Sequence, residues 1–316
     1  MSKSKTKIGR YSKERHEENR KQLVNFNMRK SKIPYLLQYS DAKDVVIICN
    51  QSFENFTIKS WIAEVEDFTE LFQRALGTVS QNIYSKEQYM DVLEVTGVEI
   101  DHRRNYSKFV ETTMVVTYTR ALKCLRRLPG LDTLPDKDFF RTVLSHKENI
   151  YVLMAIASQV NWSQEGVTFR LDDNHKIILP ADYLAKMSDS DIANKQAYAG
   201  KKITDIGLTF DEAVFLTAIQ MFCPTKTHPH LQDFQHRFLL AFTNYLEEHY
   251  GNKYHERLQE LISLSTYFKE SIHQGKKWLK KNENYLKMIY TTNIMRAFIA
   301  EPDLDVGVEL LKGLKI

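Results

Sequence analysis

Cysteine, proline and glycine are all scarce in this chain, with three, seven and eleven residues among 316. Few prolines and glycines leave room for long uninterrupted helices. The three cysteines are too far apart for a zinc site and too few for a disulfide framework, which indicates a reducing compartment, the nucleus or the cytosol. The sequence also lacks an apolar run of the roughly 20 residues that a membrane span needs, so we expect no membrane partner.

Motifs of catalysis are missing as well. The sequence has no glycine-rich phosphate loop, no His-Glu-x-x-His, no nucleophile elbow and no cluster of histidine, cysteine and aspartate. The ten histidines are dispersed, and only His228 and His230 stand close together, in a loop flanked by proline. The sequence therefore predicts neither an enzyme nor a metal site.

The charge is distributed unevenly. Residues 1–32 carry eleven lysines and arginines against three glutamates, an excess of eight, whereas the whole chain has a net charge of +4. The rest of the chain is therefore slightly acidic, by about four charges. A basic arm on a near-neutral body is typical of a phosphate-binding tail. The alternative is a solvated tail or a nuclear-import signal.

Apolar residues recur at helical spacing along most of the chain, which predicts long helices. The first contains Trp61, Phe68 and Leu76 and is expected to end at Gly77. We expect residues 81–104 to form a loop with short helical pieces, and residues 34–57 a hinge. Further helices are predicted over residues 106–128, 138–159, 182–187, 191–198, 210–222, 231–250 and 255–281.

β structure is favoured in one place only. Residues 167–171 and 176–179 are rich in β-branched and aromatic side chains and flank a polar turn, which predicts two short strands. One small hairpin in an otherwise helical chain predicts an all-α fold class.

Residues 126–134, Arg-Arg-Leu-Pro-Gly-Leu-Asp-Thr-Leu, end a cationic helix with a proline-glycine stop. This string resembles the F-A-K-x-L-P-G-F signature of nuclear hormone receptor ligand-binding domains. Residues 207–224 resemble helix eight of that family, residues 234–245 its helix nine, and residues 257–273 its helix ten. The predicted hairpin falls where the family places its β-turn, so the resemblance covers about residues 61–273.

The arm adds a second resemblance. Residues 1–12 are similar to the segment after the second zinc finger in the thyroid-hormone, vitamin D and Rev-erb group of these receptors. A flexible cationic strand can lie on DNA phosphates, and the resemblance implies such contacts for Lys5, Lys7 and Arg10. The eight cysteines of the family's zinc module are absent from this chain, so zinc would belong to a missing domain and DNA binding would depend on it.

The resemblance implies an all-α, three-layer antiparallel helical sandwich with one short β-hairpin. It places a basic DNA-binding-domain extension at residues 1–33, the hinge at 34–57 and the ligand-binding domain at 58–316. The implied function is ligand-regulated control of transcription in the nucleus. Two alternatives stay open: a ligand-independent or dominant-negative receptor without its DNA-binding domain, and a helical lipid-binding scaffold.

The resemblance also implies a ligand pocket. One face of the helix over residues 106–128 lines the pocket in relatives, although the same face is equally expected of a simple core helix. No arginine occurs between Arg141 and Arg170, where relatives that bind acids place an anchor, so we expect a neutral lipophilic ligand, or an empty or side-chain-filled pocket. The implied ligand-binding residues are Val110, Thr113, Met114, Thr117, Met154, Phe169 and His273. For His273 the alternative is a structural histidine whose hydrogen bonds are satisfied within the fold.

Coactivators and corepressors of this family dock as leucine-rich helices in an apolar groove, between a lysine at one end and a glutamate at the other. Arg126 stands in place of the lysine, with a solvated helix end as its alternative, and Glu309 matches the glutamate. The implied contact residues are Arg126, Val143, Leu144, Glu309 and Leu310. The surface of helices nine and ten is implied to form a homodimer, or a heterodimer with a retinoid X receptor type partner.

Overall fold

The computed structural model describes residues 42–157, 159–163, 166–172 and 175–290. The described chain is mostly helical with one small sheet, which confirms the predicted fold class. Its helices are α1 (Ala42–Phe53), α2 (Ile58–Glu64), α3 (Phe68–Val79), α4 (Lys86–Thr96), α5 (Arg103–Arg126), α6 (Asp136–Ser145), α7 (Lys147–Ala157), α8 (Ala181–Met187), α9 (Ser190–Asp205), α10 (Phe210–Met221), α11 (Leu231–Tyr250), α12 (Tyr254–Lys281) and α13 (Glu283–Ile289).

The sheet has three antiparallel strands in the order β1 (Asn161–Ser163), β2 (Gly166–Arg170) and β3 (Lys176–Pro180). The sequence predicted the second and third, which pair with Thr168 opposite Ile178. It missed β1, because three residues are too short to show a period of two. Val167, Ile177 and Leu179 point into the core, together with residues of α3 and α5.

The prediction of a hinge over residues 34–57 is wrong for residues 42–53. Residues 42–53 form α1, and Val45, Ile48, Cys49 and Phe53 are buried in the main core beside α10 and α11. Their apolar side chains bury more surface in this position than an exposed linker allows.

The single helix predicted through Trp61 and Leu76 is two helices. Val65 has an extended backbone after α2, and Asp67 adopts a left-handed conformation with φ of 52°. Trp61 packs into the main core, whereas Phe68 and Phe72 pack with the sheet in a second cluster. A straight helix cannot serve both, so the chain turns between them.

Two further expectations are corrected. The segment expected as a loop contains α4, whose N-terminus has a capping box between Ser85 and Gln88 and whose end is marked by Gly97 with φ of 69°. The helix expected over residues 138–159 is divided at His146 into α6 and α7. Local capping at both ends explains why α4 forms. The non-helical backbone of His146 separates the buried face of α6 from that of α7.

The last described helix, α13, follows α12 with only Asn282 between them. Its apolar residues Tyr285, Leu286 and Ile289 pack against Tyr89 and Leu93 of α4. The sequence did not predict how this segment packs, because its partner α4 was itself expected to be a loop.

Candidate functional site

An apolar cavity of about 140 Å³ lies between α2, α5, α7 and the sheet. Helix α5 supplies the longest wall, because its residues at positions i, i+3, i+4 and i+7 share one face. The wall residues are Ile58, Trp61, Ile62, Val65, Phe68, Tyr106, Phe109, Val110, Thr113, Met114, Thr117, Met154, Phe169, Leu171 and Ile177.

Six of the seven residues predicted to bind a ligand line this one cavity. Four come from α5, one from the middle of α7 and one from β2, so the tertiary fold brings them together from three separate elements. Their role in binding stays a prediction. The six are Val110, Thr113, Met114, Thr117, Met154 and Phe169.

The two threonines of α5 that line the cavity, Thr113 and Thr117, offer it little polarity. Thr113 Oγ1 donates to the carbonyl of Phe109 at 2.9 Å, and Thr117 Oγ1 donates to the carbonyl of Thr113 at 2.7 Å. Each hydroxyl hydrogen is therefore used within the helix, as is common for threonine in a helix interior. Their methyl groups are left to form the apolar part of the wall.

No charged side chain lines the cavity among the described residues. Tyr106 is the titratable residue of the wall. Burial raises the pKa of its phenol well above the usual value, and Tyr183 and Tyr290 add to the rise. The phenol is therefore neutral at physiological pH. A charged occupant would meet no counter-charge here, and burying it unpaired is expensive.

Sequence reasoning missed the part of the wall that comes from α2 and α3. Trp61, Val65 and Phe68 follow one another at helical spacing, which predicted an apolar face but not what it covers. All three border the same cavity, although the chain breaks between α2 and α3. The left-handed residue Asp67 makes that break, and sequence alone gave no signal of it.

The prediction for His273 is wrong for this cavity. His273 lies on α12 with its side chain exposed, and it is not part of the wall. Helix α12 packs against α9 and α11, and it turns this position away from the interior.

Arg126, the first of the residues predicted to dock a coregulator, makes its contacts within the fold. The guanidinium of Arg126 donates to Asp136 Oδ1 at 2.8 Å and to the carbonyl of Leu131 at 2.9 Å. It also lies 4.6 Å from the ring centre of Phe139. Arg126 therefore closes the turn between α5 and α6, and its charge is already partnered.

Val143 and Leu144 are 1% and 8% exposed and belong to the main core. A docked helix cannot reach Val143, so the prediction that it lines a groove is wrong, and Leu144 offers only a narrow edge. Both lie on the buried face of α6, which packs inward because Phe139, Phe140 and Val143 share that face. The other predicted contacts, Glu309, Leu310, Lys5, Lys7 and Arg10, lie outside the described residues.

No group of three or more histidine, cysteine, aspartate or glutamate side chains in the described ranges is arranged to hold a metal ion. His228 instead pairs with Asp138, with 2.9 Å between Nε2 and Oδ2. None of the described helices is both long enough and apolar enough to span a bilayer.

Comparison with known proteins adds no assignment: no protein-family model matches the chain, and no curated protein matches it.

Proposed function

We propose that this chain is a nuclear-receptor-type ligand-binding domain that holds a small, uncharged lipophilic molecule in the α2–α5–α7 cavity. In this proposal it presents a surface for coregulator helices and controls transcription in the nucleus. The observation that carries it is the meeting of six sequence-predicted residues around one uncharged cavity. The resemblance of residues 126–134 and 207–224 to that family supports the same reading.

The cavity volume limits the ligand. A volume of about 140 Å³ is below the ~300–1,000 Å³ of pockets for drug-sized ligands and near that of an engineered cavity that holds benzene. A larger ligand requires Met114 and Met154 to move, and methionine side chains repack more readily than other apolar ones. The proposed ligand is therefore either about the size of a single ring or one that widens the cavity at these methionines.

Ligand binding can be tested with a neutral probe and its charged analogue. We expect benzene to raise the unfolding free energy of the protein, by about 2.7 kcal/mol when its concentration is 100 times its Kd, and benzoate to have no effect. Val110→Phe fills part of the cavity and should abolish the shift, whereas Val95→Phe, at a position 86% exposed, should leave it intact. An equal shift with benzoate would contradict a neutral pocket.

Native mass spectrometry of the purified protein tests the same site without a chosen probe. A lipophilic molecule that co-purifies with wild-type protein and with Val95→Phe, but not with Val110→Phe, is the expected result. The same molecule on all three proteins would place it outside this cavity.

Coregulator docking is tested at Arg126. Because Asp136 holds the guanidinium, Asp136→Asn frees it, and we expect a labelled leucine-rich helical peptide to bind this variant at least as tightly as wild type. Arg126→Ala and Glu309→Ala should weaken binding. Failure of any such peptide to bind favours a helical lipid-binding scaffold.

The small cavity also favours a second candidate, a ligand-independent receptor. Peptide binding without any stabilisation by neutral probes is the result that would select it. In either case we propose dimerisation, with a second copy or a retinoid X receptor type partner, through α11 and α12. The exposed apolar side chains of Leu239, Leu240 and Ile262 support this surface. DNA contact through the basic arm would need a zinc module supplied elsewhere.

A further inference from the structure

The C-terminal half of α12 carries a stripe of lysines on its exposed side. Residues 269–287 contain six lysines and two glutamates, a net charge of +4, in a chain whose residues 33–316 are otherwise acidic. All six lysines have exposed side chains, and five of them lie on α12. We call these five the lysine stripe: Lys269, Lys276, Lys277, Lys280 and Lys281.

Helix geometry places the lysine stripe on one side. Lys269, Lys276 and Lys280 follow at spacings of seven and four residues, so they share one face, and Lys277 and Lys281 flank it. At 1.5 Å per residue the stripe is about 18 Å long from Lys269 to Lys281. His273, one turn after Lys269, is exposed on the same face.

These charges have no carboxylate partner within ion-pair distance among the described residues. Glu283 pairs with Lys287 at 2.6 Å instead, and Glu270 accepts a hydrogen bond from Gln274 at 3.0 Å. Cations in the last turn of a helix stabilise it through the helix dipole, which explains Lys280 and Lys281. The effect fades beyond the last turn, so it does not explain Lys269, Lys276 and Lys277.

The apolar side chains beside the stripe face inward. Trp278 Nε1 donates to Asp189 Oδ2 at 2.5 Å, and Trp278 and Leu279 pack with the cluster formed by α4 and α13. Helices that lie on membranes combine cations with exposed apolar side chains that enter the lipid. Between Lys276 and Lys281 those side chains are occupied elsewhere, so the stripe is suited to a polyanion in water rather than to a lipid surface.

We infer that the lysine stripe is a binding surface for the phosphate backbone of double-stranded nucleic acid. Lysine contacts phosphates as a flexible point charge and carries no base preference by itself, so binding is independent of sequence. The inference does not depend on a ligand in the α2–α5–α7 cavity.

The test is fluorescence anisotropy of a labelled 20-base-pair duplex of random sequence with the full chain, over a range of salt concentrations. The stripe variant changes Lys276, Lys277, Lys280 and Lys281 to Gln. The control variant changes four other exposed lysines to Gln and so removes the same total charge. These control positions are Lys59, Lys108, Lys123 and Lys226.

We expect the stripe variant to bind about tenfold more weakly or worse, and the slope of log K against log salt to fall by about 3 to 4, since each phosphate contact contributes about 0.9. The control variant should match wild type in both. Equal losses in the two variants, or no loss in either, overturn the inference. Loss of binding to phosphatidylserine vesicles or to polyglutamate, with duplex binding unchanged, also overturns it.

A measurement on wild-type protein covers the case in which a variant folds poorly. Lysine acetylation followed by mass spectrometry reports which ammonium groups the duplex covers. Protection of Lys269, Lys276 and Lys280, with Lys59 and Lys123 still reactive, is the expected pattern. Uniform reactivity along α12 in the presence of a saturating duplex contradicts the inference.

Discussion

Among single residues, Glu212 and Arg257 form a buried ion pair. Glu212 is fully buried, and Arg257 donates to both of its carboxylate oxygens, at 2.8 and 2.6 Å. Tyr250 and the backbone N–H of Thr209 donate to the same carboxylate, each at 2.9 Å. Arg257 also donates to the carbonyl of Ile206 at 2.5 Å. Every oxygen is satisfied, so the pair joins α10 to α12 without leaving a buried charge unpaired.

Glu212→Gln should lower the unfolding free energy by about 3–5 kcal/mol, because it leaves the guanidinium of Arg257 buried without a counter-charge. Urea denaturation at pH 7 measures the change. The matched control is Glu70→Gln, which breaks the exposed pair between Glu70 and Arg74 and should change stability by less than about 1 kcal/mol. Similar losses of unfolding free energy in the two variants would show that burial of the Glu212–Arg257 pair adds nothing to its contribution.

The same carboxylate predicts a dependence on pH. Burial acts to raise the pKa of Glu212, but hydrogen bonds from Arg257 and from the Thr209 N–H outweigh it, so the pKa lies below its ordinary value. A lowered folded-state pKa stabilises the protein above the unfolded pKa of about 4.3, and this contribution is lost as the pH falls through the folded value. Glu212→Gln should therefore lose less unfolding free energy than wild type between pH 5 and pH 3.

Gly200 is needed for a close approach of helix and strand. It lies in α9, and a Cβ built on it would overlap the indole of Trp162 from β1. Gly200→Ala should therefore lower the unfolding free energy by about 1–3 kcal/mol, the usual effect of overpacking. Gly77→Ala is the control, since nothing lies within 4 Å of its Cβ and alanine favours a helix by up to about 1 kcal/mol. Thermal unfolding of both variants should show shifts of opposite sign.

Among the elements, α13 is a short helix that depends on its contacts with α4 and α5. Seven residues are too few for a stable isolated helix in water. Arg103, fully buried at the start of α5, donates to Tyr285 Oη at 3.0 Å, to Asp101 Oδ2 at 2.6 Å and to the carbonyl of Tyr84 at 2.7 Å. Arg104 donates to the carbonyl of Met288 at 3.1 Å. These bonds and the contact with α4 hold α13 in place.

Tyr285→Phe should lower the unfolding free energy by about 1–3 kcal/mol, because one buried guanidinium donor loses its acceptor. Hydrogen exchange should accelerate at the amides of Leu286 and Tyr290, which α13 protects. Tyr84→Phe is the control, because the side chain of Tyr84 is 49% exposed and only its backbone takes part. Unchanged exchange in Tyr285→Phe would mean that apolar packing alone holds the helix.

For the whole molecule, the position of α1 sets the boundary of the folded unit. Val45, Ile48 and Phe53 are each at most 7% exposed and join the same core cluster as Leu122 and Phe242. Burying three such side chains contributes about 5–9 kcal/mol as an upper estimate. A typical domain has only about 5–15 kcal/mol in total.

Removal of residues 1–53 should therefore leave a chain that does not fold cooperatively. Removal of residues 1–33, the basic arm that lacks a core-forming pattern, should change the unfolding free energy little. Circular dichroism during urea denaturation compares the two with the full chain. A cooperative transition in the chain without residues 1–53 would contradict this expectation, and α1 would then be part of the hinge predicted from the sequence.

The sequence predicted α5, α11 and α12 to within a few residues, because each is long and repeats its apolar positions many times. It missed β1 and the division between α6 and α7, which depend on a few residues and on neighbours distant in the chain. The sequence does contain a signal for the start of α4, because Ser85 and Gln88 stand at the spacing of a capping box.

For the candidate site, the helical spacing of Val110, Thr113 and Met114 was enough to predict a shared face. Resemblance to a family added Met154 and Phe169, and it also suggested His273, which lies on the surface. A residue's partners across the molecule cannot be read from its own segment. The internal pairing of Arg126 with Asp136 and the burial of Val143 show the same limit.

The helical class, the apolar face of α5 and the uneven charge follow from local spacing and composition, so they can be predicted without a structure. The folded molecule adds that this face borders a cavity, that α1 belongs to the core and that the lysine stripe stays exposed. The physical reason is that burial is a property of pairs of elements: a side chain leaves water only when a distant segment covers it.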